Sequence, residues 1–270
     1  MASDAAAKWQ AGAHPADGIA FFPLGGEGPP ALLLHGFGSD HFLWLANQQA
    51  IAKVADVAAL DLPGHGESSM DIGAGTIGDL AERVAALLDR KAMRKVHLIG
   101  HSLGGGVALV LAEQRPDLVA SLVLIAPAGL GRSVDRQFLS EYSRLAAPDA
   151  TEALLQRLVV RPRLINKYMV GRVLGQLARP GAREALERIA HGIETCEPAV
   201  AHAAASGRLR DVPRLVLWGK DDAISPLSEE RLGALGGEAL LVDGAGHLPH
   251  VESPRLVNEK IVEFLTRQKA

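Results

Sequence analysis

Residues 96–114 read VHLIGHSLGGGVALVLAEQ, and the fold follows from this stretch. Residues 96–100 have the length and apolar content of a strand covered on both faces, and residues 103–113 continue as a helix. Between them, Gly100-His101-Ser102-Leu103-Gly104 forms a G-x-S-x-G turn. A residue on so tight a strand-to-helix turn takes a strained backbone, with neighbours two positions away pressed together. Glycine at 100 and 104 removes the side chains that would collide, and Gly105 and Gly106 let the helix lie close to the sheet. The Ser102 hydroxyl is thereby exposed at the carboxyl end of the strand, and the helix N-terminus and the Leu103 N–H aim at the same point. Alone, the pattern also fits an ordinary glycine-rich turn with a capping serine; a strand before and a helix after separate the two readings.

Outward from this turn, short apolar runs alternate with helical patterns, the signature of βα units and a mostly parallel sheet. Strands are expected at 19–23, 31–35, 57–61, 96–100, 121–125, 215–218 and 239–242. Thr76 and Asp79 form a capping pair ahead of a helix that buries Ile77, Leu80, Val84, Leu87 and Leu88. Ser253, with Pro254 behind it, is expected to cap the last helix, whose buried face is Ile261, Phe264 and Leu265. Between 129 and 208 strand-like runs vanish, and stretches such as 149–160 and 182–194 read as amphipathic helices rich in Leu, Ala and Arg. The expected division is therefore a flexible Ala-rich lead-in at 1–16, a core at 17–128 and 209–270, and a helical cap at 129–208. No tandem repeat or low-complexity tract interrupts it.

Two other strand ends carry chemistry-bearing residues. The run 31–35 leads into His35-Gly36-Phe37-Gly38, a loop that can curl back toward the serine. An oxyanion needs two or more fixed donors, one of which is typically worth about 3–4 kcal/mol; the N–H groups of Phe37 and Leu103 are the candidates. His35 precedes the bend and reads as a structural residue. A serine hydroxyl also needs a base, and that base needs a carboxylate to fix its tautomer. His247, in Gly244-Ala245-Gly246-His247, follows the last strand and sits at the same sheet edge; His250 is its rival, read as a surface or supporting residue, and His101 is expected to point away. For the acid, LVLWGKDDAISP offers Asp222, with Asp221 as runner-up. The loop after 121–125 reads Ala126-Pro127-Ala128 and holds no carboxylate, so the acid falls to the later loop. The chain order Ser102, Asp222, His247 differs from that of the two other serine-protease classes.

Composition bounds the rest. The chain has 270 residues, 48% of them hydrophobic, enough for a large core, and a net charge of −3 offers nothing to nucleic acid. One cysteine, Cys196, fits a reducing compartment. No run of about 18 apolar residues and no signal-peptide pattern occurs, so a cytoplasmic protein with no membrane attachment is expected. There is no HExxH or paired Cys/His spacing for a metal, and Gly129-Leu130-Gly131 lacks the third glycine of a dinucleotide fingerprint, so neither metal nor cofactor is expected.

With these motifs, and with DLPGHGES at 61–68, GHLP at 246–249 and ESP at 252–254, the chain resembles the α/β-hydrolase superfamily from about residue 19 onward. That resemblance implies a mostly parallel central sheet flanked by helices, with a helical cap inserted after the sixth strand, and a structural role for the 61–68 loop that leaves His65 outside the site. HGFGSDHFLWLANQQAI at 35–51 and LVLIAPAGLGR at 122–132 are similar to the hydrolase-like C-terminal domain of acetoin dehydrogenase dihydrolipoyl acyltransferase components. That similarity implies association with a 2-oxo acid or acetoin dehydrogenase-type complex. Two departures matter. No lipoyl domain precedes residue 16, so the Ala-rich start is either the remnant of a linker or the natural terminus. No His-x-x-x-Asp-Gly motif occurs to support an acyltransferase name, although acyl transfer through Ser102 remains chemically possible.

The expected function is cleavage of a small-molecule carboxylic ester or thioester, or a related acyl or C–C bond, through an acyl-serine. A serine at 102 in place of aspartate argues against the dehalogenase and epoxide-hydrolase branches. The alternative is an acyltransferase-type or non-catalytic accessory domain of an acetoin dehydrogenase complex, because fold does not fix function. Phe138, Tyr142 and Tyr168, with Leu155, Leu158 and Met169, fit either a substrate pocket or the cap's own core. Arg157, Arg161 and Arg163 fit either an anionic substrate or a solvated helix face. The oligomeric state is not encoded in any of these motifs.

Overall fold

In the computed structural model, residues 18–268 are described; the expected lead-in at 1–16 lies outside them. Seven strands form one sheet in the order β1-β3-β2-β4-β5-β6-β7. They are β1 (Phe21–Gly25), β2 (Pro30–Leu34), β3 (Asp56–Leu60), β4 (Val96–His101), β5 (Val119–Ile125), β6 (Arg214–Gly219) and β7 (Glu238–Val242). Each matches an expected strand to within two residues. Only β1, antiparallel to β3, departs from the parallel pairing.

Period-two alternation sends Leu32 and Leu34 of β2 to one core and Ala31 and Leu33 to the other. Helices therefore cover both faces, and β2, β3 and β4 are buried throughout. The helices are α1 (Gln48–Ile51), α2 (Ile77–Arg90), α3 (Leu103–Gln114), α4 (Arg136–Tyr142), α5 (Pro148–Gln156), α6 (Lys167–Leu177), α7 (Ala182–Glu194), α8 (Glu197–Ala205), α9 (Glu229–Leu235), α10 (Pro249–Glu252) and α11 (Pro254–Arg267). Helix α2 starts at the expected capping box, the Thr76 hydroxyl accepting from Asp79 N–H and the Asp79 carboxylate accepting from Thr76 N–H. Ser253 holds the N-cap position of α11 with Pro254 in its first turn, as expected, but it also closes α10 and its side chain makes no cap bond. No helix among the described residues is long and apolar enough to cross a membrane.

Helices α4 to α8 all fall between β5 and β6. Counted along the described chain, this insertion follows the fifth strand and not the sixth, because a single strand, β1, precedes β2. The carboxyl ends of the parallel strands lie level, with Leu34 beside Gly100, Gly100 beside Leu124 and His101 beside Ile125. Loops leaving this edge meet in one place, where open parallel sheets gather their sites.

Several histidines are built into the interior: His35, His65, His101 and His250 are each at most 3% exposed. Burial disfavours the imidazolium and lowers all four, His65 and His250 to about 3, His101 well below 6.5.

Two stability measurements test this packing. A Cβ on Gly104 would lie 2.3 Å from Leu34 O, whereas one on Gly175, in α6, meets nothing within 4 Å. Gly104→Ala should leave the protein unfolded or strongly destabilised, and Gly175→Ala should stabilise it by about 0.5–1 kcal/mol; similar melts for the two would contradict the close approach at 104. The unfolded chain protonates histidines that the folded one keeps neutral. Stability is therefore full above the unfolded value of 6.5 and is lost as pH falls toward the folded values near 3. Thermal melts should drop steadily from pH 6.5 to 5 and drop less in His250→Phe; a flat profile over that window would be inconsistent with buried neutral imidazoles.

Candidate active site

Ser102 sits between β4 and α3 with φ 50° and ψ −114°, a conformation that L-residues rarely adopt. The strain is held by hydrogen bonds on both sides. Ser102 N–H donates to Ile125 O at 2.9 Å, and its carbonyl accepts from Gly106 N–H at 3.0 Å and Ala128 N–H at 2.9 Å. A side chain at 100 would strike Gly104 O at 2.4 Å, and Gly104 N–H donates to His35 O at 3.1 Å, locking the turn against the neighbouring strand end. The hydroxyl itself makes no hydrogen bond among the described residues and borders a cavity that His247 also lines.

His247 is fixed from four directions. Its Nδ1–H donates to Asp222 Oδ2 at 2.8 Å. Its N–H donates to Leu158 O at 2.8 Å, and its carbonyl accepts from His101 Nε2–H at 2.9 Å. The residue before it is pinned by Gly246 N–H donating to Glu252 at 2.9 Å. Glu252 also accepts from Val160 N–H at 3.1 Å and faces Arg161, so one buried carboxylate ties this loop to the inserted helices. Asp222 is 5% exposed and accepts from four donors: His247, Trp218 Nε1–H at 3.1 Å, and the Ile224 and Ser225 N–H groups at 2.9 Å each. A carboxylate so surrounded cannot rotate. Asp221, the runner-up, is exposed and contributes its N–H to Ala245 O.

The His35–Gly38 loop crosses directly over Ser102. A Cβ on Gly36 would lie 3.2 Å from Ser102 Cβ and 2.6 Å from His101 Nδ1. The N–H groups of Phe37 and Leu103 have no hydrogen-bond partner among the described residues. Leu103 itself is buried, and Phe37 lines the cavity. The loop is held from above by two inserted helices. Tyr142 of α4 donates its hydroxyl to Gly38 O, and its ring lies 5.2 Å from that of Phe37. Arg172 of α6 donates to Asp40, 2.9 Å from Nε, while its guanidinium lies 4.0 Å over Phe42. Gly38 adopts φ +71°, and a Cβ there would overlap the Tyr142 ring.

The cavity has a volume of about 550 Å³. Phe138, Tyr142 and Tyr168 all line it, as do Leu155, Leu158 and Met169; Phe138 and Tyr142 are also core residues, whereas Tyr168 is 58% exposed. Arg157 is committed to Asp135 and Glu141, Arg161 to Glu252, and Arg163 is exposed; none of the three lines the cavity. His250 is fully buried, not a surface residue, because its ring packs 5.1 Å from Trp44 and 4.8 Å from His101. His101 borders the cavity, but its Nε2–H is spent on the His247 carbonyl and its ring packs on His250; His35 accepts Leu62 N–H at Nε2. His65 is buried outside the cavity lining, and the Asp61 carboxylate ties the 61–68 loop together through Glu67 N–H and His41. No cluster of three or more His, Cys, Asp or Glu able to hold a metal occurs among the described residues. Trp218 and Glu252 were not assigned roles from sequence; the ESP match at 252–254 is the signal that could have flagged the second.

Comparison with known proteins places these features in context. A family described as "Alpha/beta hydrolase family" matches residues 31–260. The dihydrolipoyllysine-residue acetyltransferase component of the acetoin cleaving system of Pseudomonas putida is 40% identical over 254 residues, covering 92% of this chain and 67% of that protein. Among solved structures, a thermophilic esterase from Thermogutta terrifontis is 27% identical with a TM-score of 0.74, covering 93% of this chain and 94% of that one. The meta-cleavage product hydrolase of Pseudomonas fluorescens IP01, at 21% identity and TM-score 0.79 over 92% of this chain and 94% of that one, shares the fold.

Proposed function

The chain belongs to the alpha/beta hydrolase family, matched over residues 31–260, and on that premise we propose that it is a serine hydrolase acting on a carboxylic ester or thioester, or a related acyl or C–C bond. The reading rests above all on the Asp222–His247 hydrogen bond of 2.8 Å beside a cavity that also exposes Ser102.

In this mechanism Ser102 Oγ attacks the substrate carbonyl while His247 Nε2 takes the hydroxyl proton. Asp222 keeps the proton on Nδ1, which leaves Nε2 free to act as base, and it stabilises the imidazolium that forms. The N–H groups of Phe37 and Leu103 receive the developing oxyanion; their lack of any other partner supports that role. His247 then returns its proton to the leaving group, and water, activated in the same way, releases the acyl group from Ser102. Residues 129–208 act as the cap that shapes the substrate space, with Phe138, Tyr142 and Tyr168 among its walls.

A second reading follows from the Pseudomonas putida relative: an acyltransferase-type or accessory domain working beside an acetoin dehydrogenase-type complex. An acyl-serine can pass its group to another nucleophile as readily as to water, so the two readings share a first half-reaction and part at the second.

A fluorophosphonate probe should label the native protein at Ser102, and Ser102→Ala should lower turnover of p-nitrophenyl esters by roughly 10³-fold or more; near-native turnover in that variant would exclude this serine as nucleophile. Tyr142→Phe removes only the hydroxyl that holds Gly38, so it should reduce kcat by about tenfold with little change in KM. A change confined to KM would place Tyr142 in substrate binding alone.

A further inference from the structure

One face of α6 looks into the cavity. Met169, Arg172, Val173 and Gln176 recur at the spacing of a helical stripe, and all four line it. Their states differ. Met169 and Val173 are apolar, and Arg172 is spent on Asp40. Gln176 is 7% exposed, and its Nε2 is buried with no hydrogen-bond partner. Among the other polar groups on the lining, Asn166 Oδ1 caps α6 through Met169 N–H and Arg231 binds Glu197 and Gly131 O; His101 Nδ1 is also buried without a partner, but with the proton on Nε2 it offers an acceptor and not a donor. Much of the surrounding wall is apolar, including Phe138, Leu139, Leu155, Ile193 and Leu248.

An amide buried without a partner is costly to the folded protein, whereas a hydrogen-bonded one is nearly neutral. A primary amide donor in an apolar cavity therefore selects for a ligand that brings an acceptor to it. We propose that Gln176 recognises a hydrogen-bond-accepting oxygen, a keto or hydroxyl group, carried on the substrate chain away from the cleaved bond. The proposal rests on the reading that this cavity receives the substrate of Ser102. It narrows the substrate class from plain alkyl esters to oxygenated medium-chain ones. Discrimination of this kind is strong, because the analogue lacking the oxygen leaves the buried amide unpaired.

The test is binding to Ser102→Ala protein, which removes the nucleophile. Calorimetry would compare plain medium-chain acids and alcohols with the same compounds carrying one keto group at successive carbons. At least one keto compound should bind about tenfold more tightly than its plain counterpart. Gln176→Leu, and the near-isosteric Gln176→Met as a second variant in case the first is poorly folded, should each erase that preference. Keto compounds that bind no better than plain ones, or not at all, overturn the proposal, as does a preference that survives both substitutions. Fluorophosphonate labelling of the wild-type protein reports separately on the chemistry. A preference without labelling would sink the serine-hydrolase reading and leave the Gln176 subsite standing.

Discussion

The close approach of α3 to the end of β2 governs everything built above it. Gly104 N–H reaches His35 O at 3.1 Å, and no Cβ fits between them. Because the helix begins that close to the sheet, Ser102 must turn through a positive φ to join strand to helix, and its hydroxyl leaves the backbone on the cavity side. The same contact sets the start of the next loop, so that Gly36 passes over Ser102 and Phe37 enters the cavity wall. Neither the serine nor the loop could be displaced alone. Local strain of about 1–3 kcal/mol at such a residue survives only where its surroundings over-determine it, and the bonds to Ile125, Gly106 and Ala128 do so here.

A second constraint works on the loops that carry Asp222 and His247. Four donors immobilise Asp222, and the His247 backbone is bonded at both its N–H and its carbonyl. The imidazole therefore has its orientation fixed before any ligand arrives, which is the condition under which a base gains most from position. That rigidity reaches outward through Glu252, whose carboxylate accepts from the residue before His247 and from Val160.

How much of this was legible in the sequence depended on the range of the interaction. The seven strands, the Thr76 capping box and the turn at Ser102 rest on neighbours within a few positions, and local glycine and apolar patterning reports those faithfully. The pairing of Asp222 with His247 was legible for another reason: the competing loop after β5 lacks a carboxylate altogether. What escaped was non-local. His250 read as a surface residue because nothing near it in the chain announces Trp44 and His101 as its packing partners. The cap arginines split in the same way, since Asp135, Glu141 and Glu252 claim Arg157 and Arg161 from other elements. Ser253 is the exception close in sequence: it holds the N-cap position ahead of Pro254, but its hydroxyl makes no cap bond. Gln176 gave no signal, because an amide on a helix stripe looks like any solvated position until its burial is known.

The bonds from Leu158 O to His247 N–H and from Val160 N–H to Glu252 have a consequence for the family's modularity. The inserted segment supplies part of the scaffold of the loop bearing His247. Transplanting this insertion from a relative would succeed only if the graft restored a carbonyl and an N–H at those two positions. Recombination between relatives is therefore channelled: crossovers inside α5 and the turn after it break the site, and those in the loops around α8 leave these bonds intact.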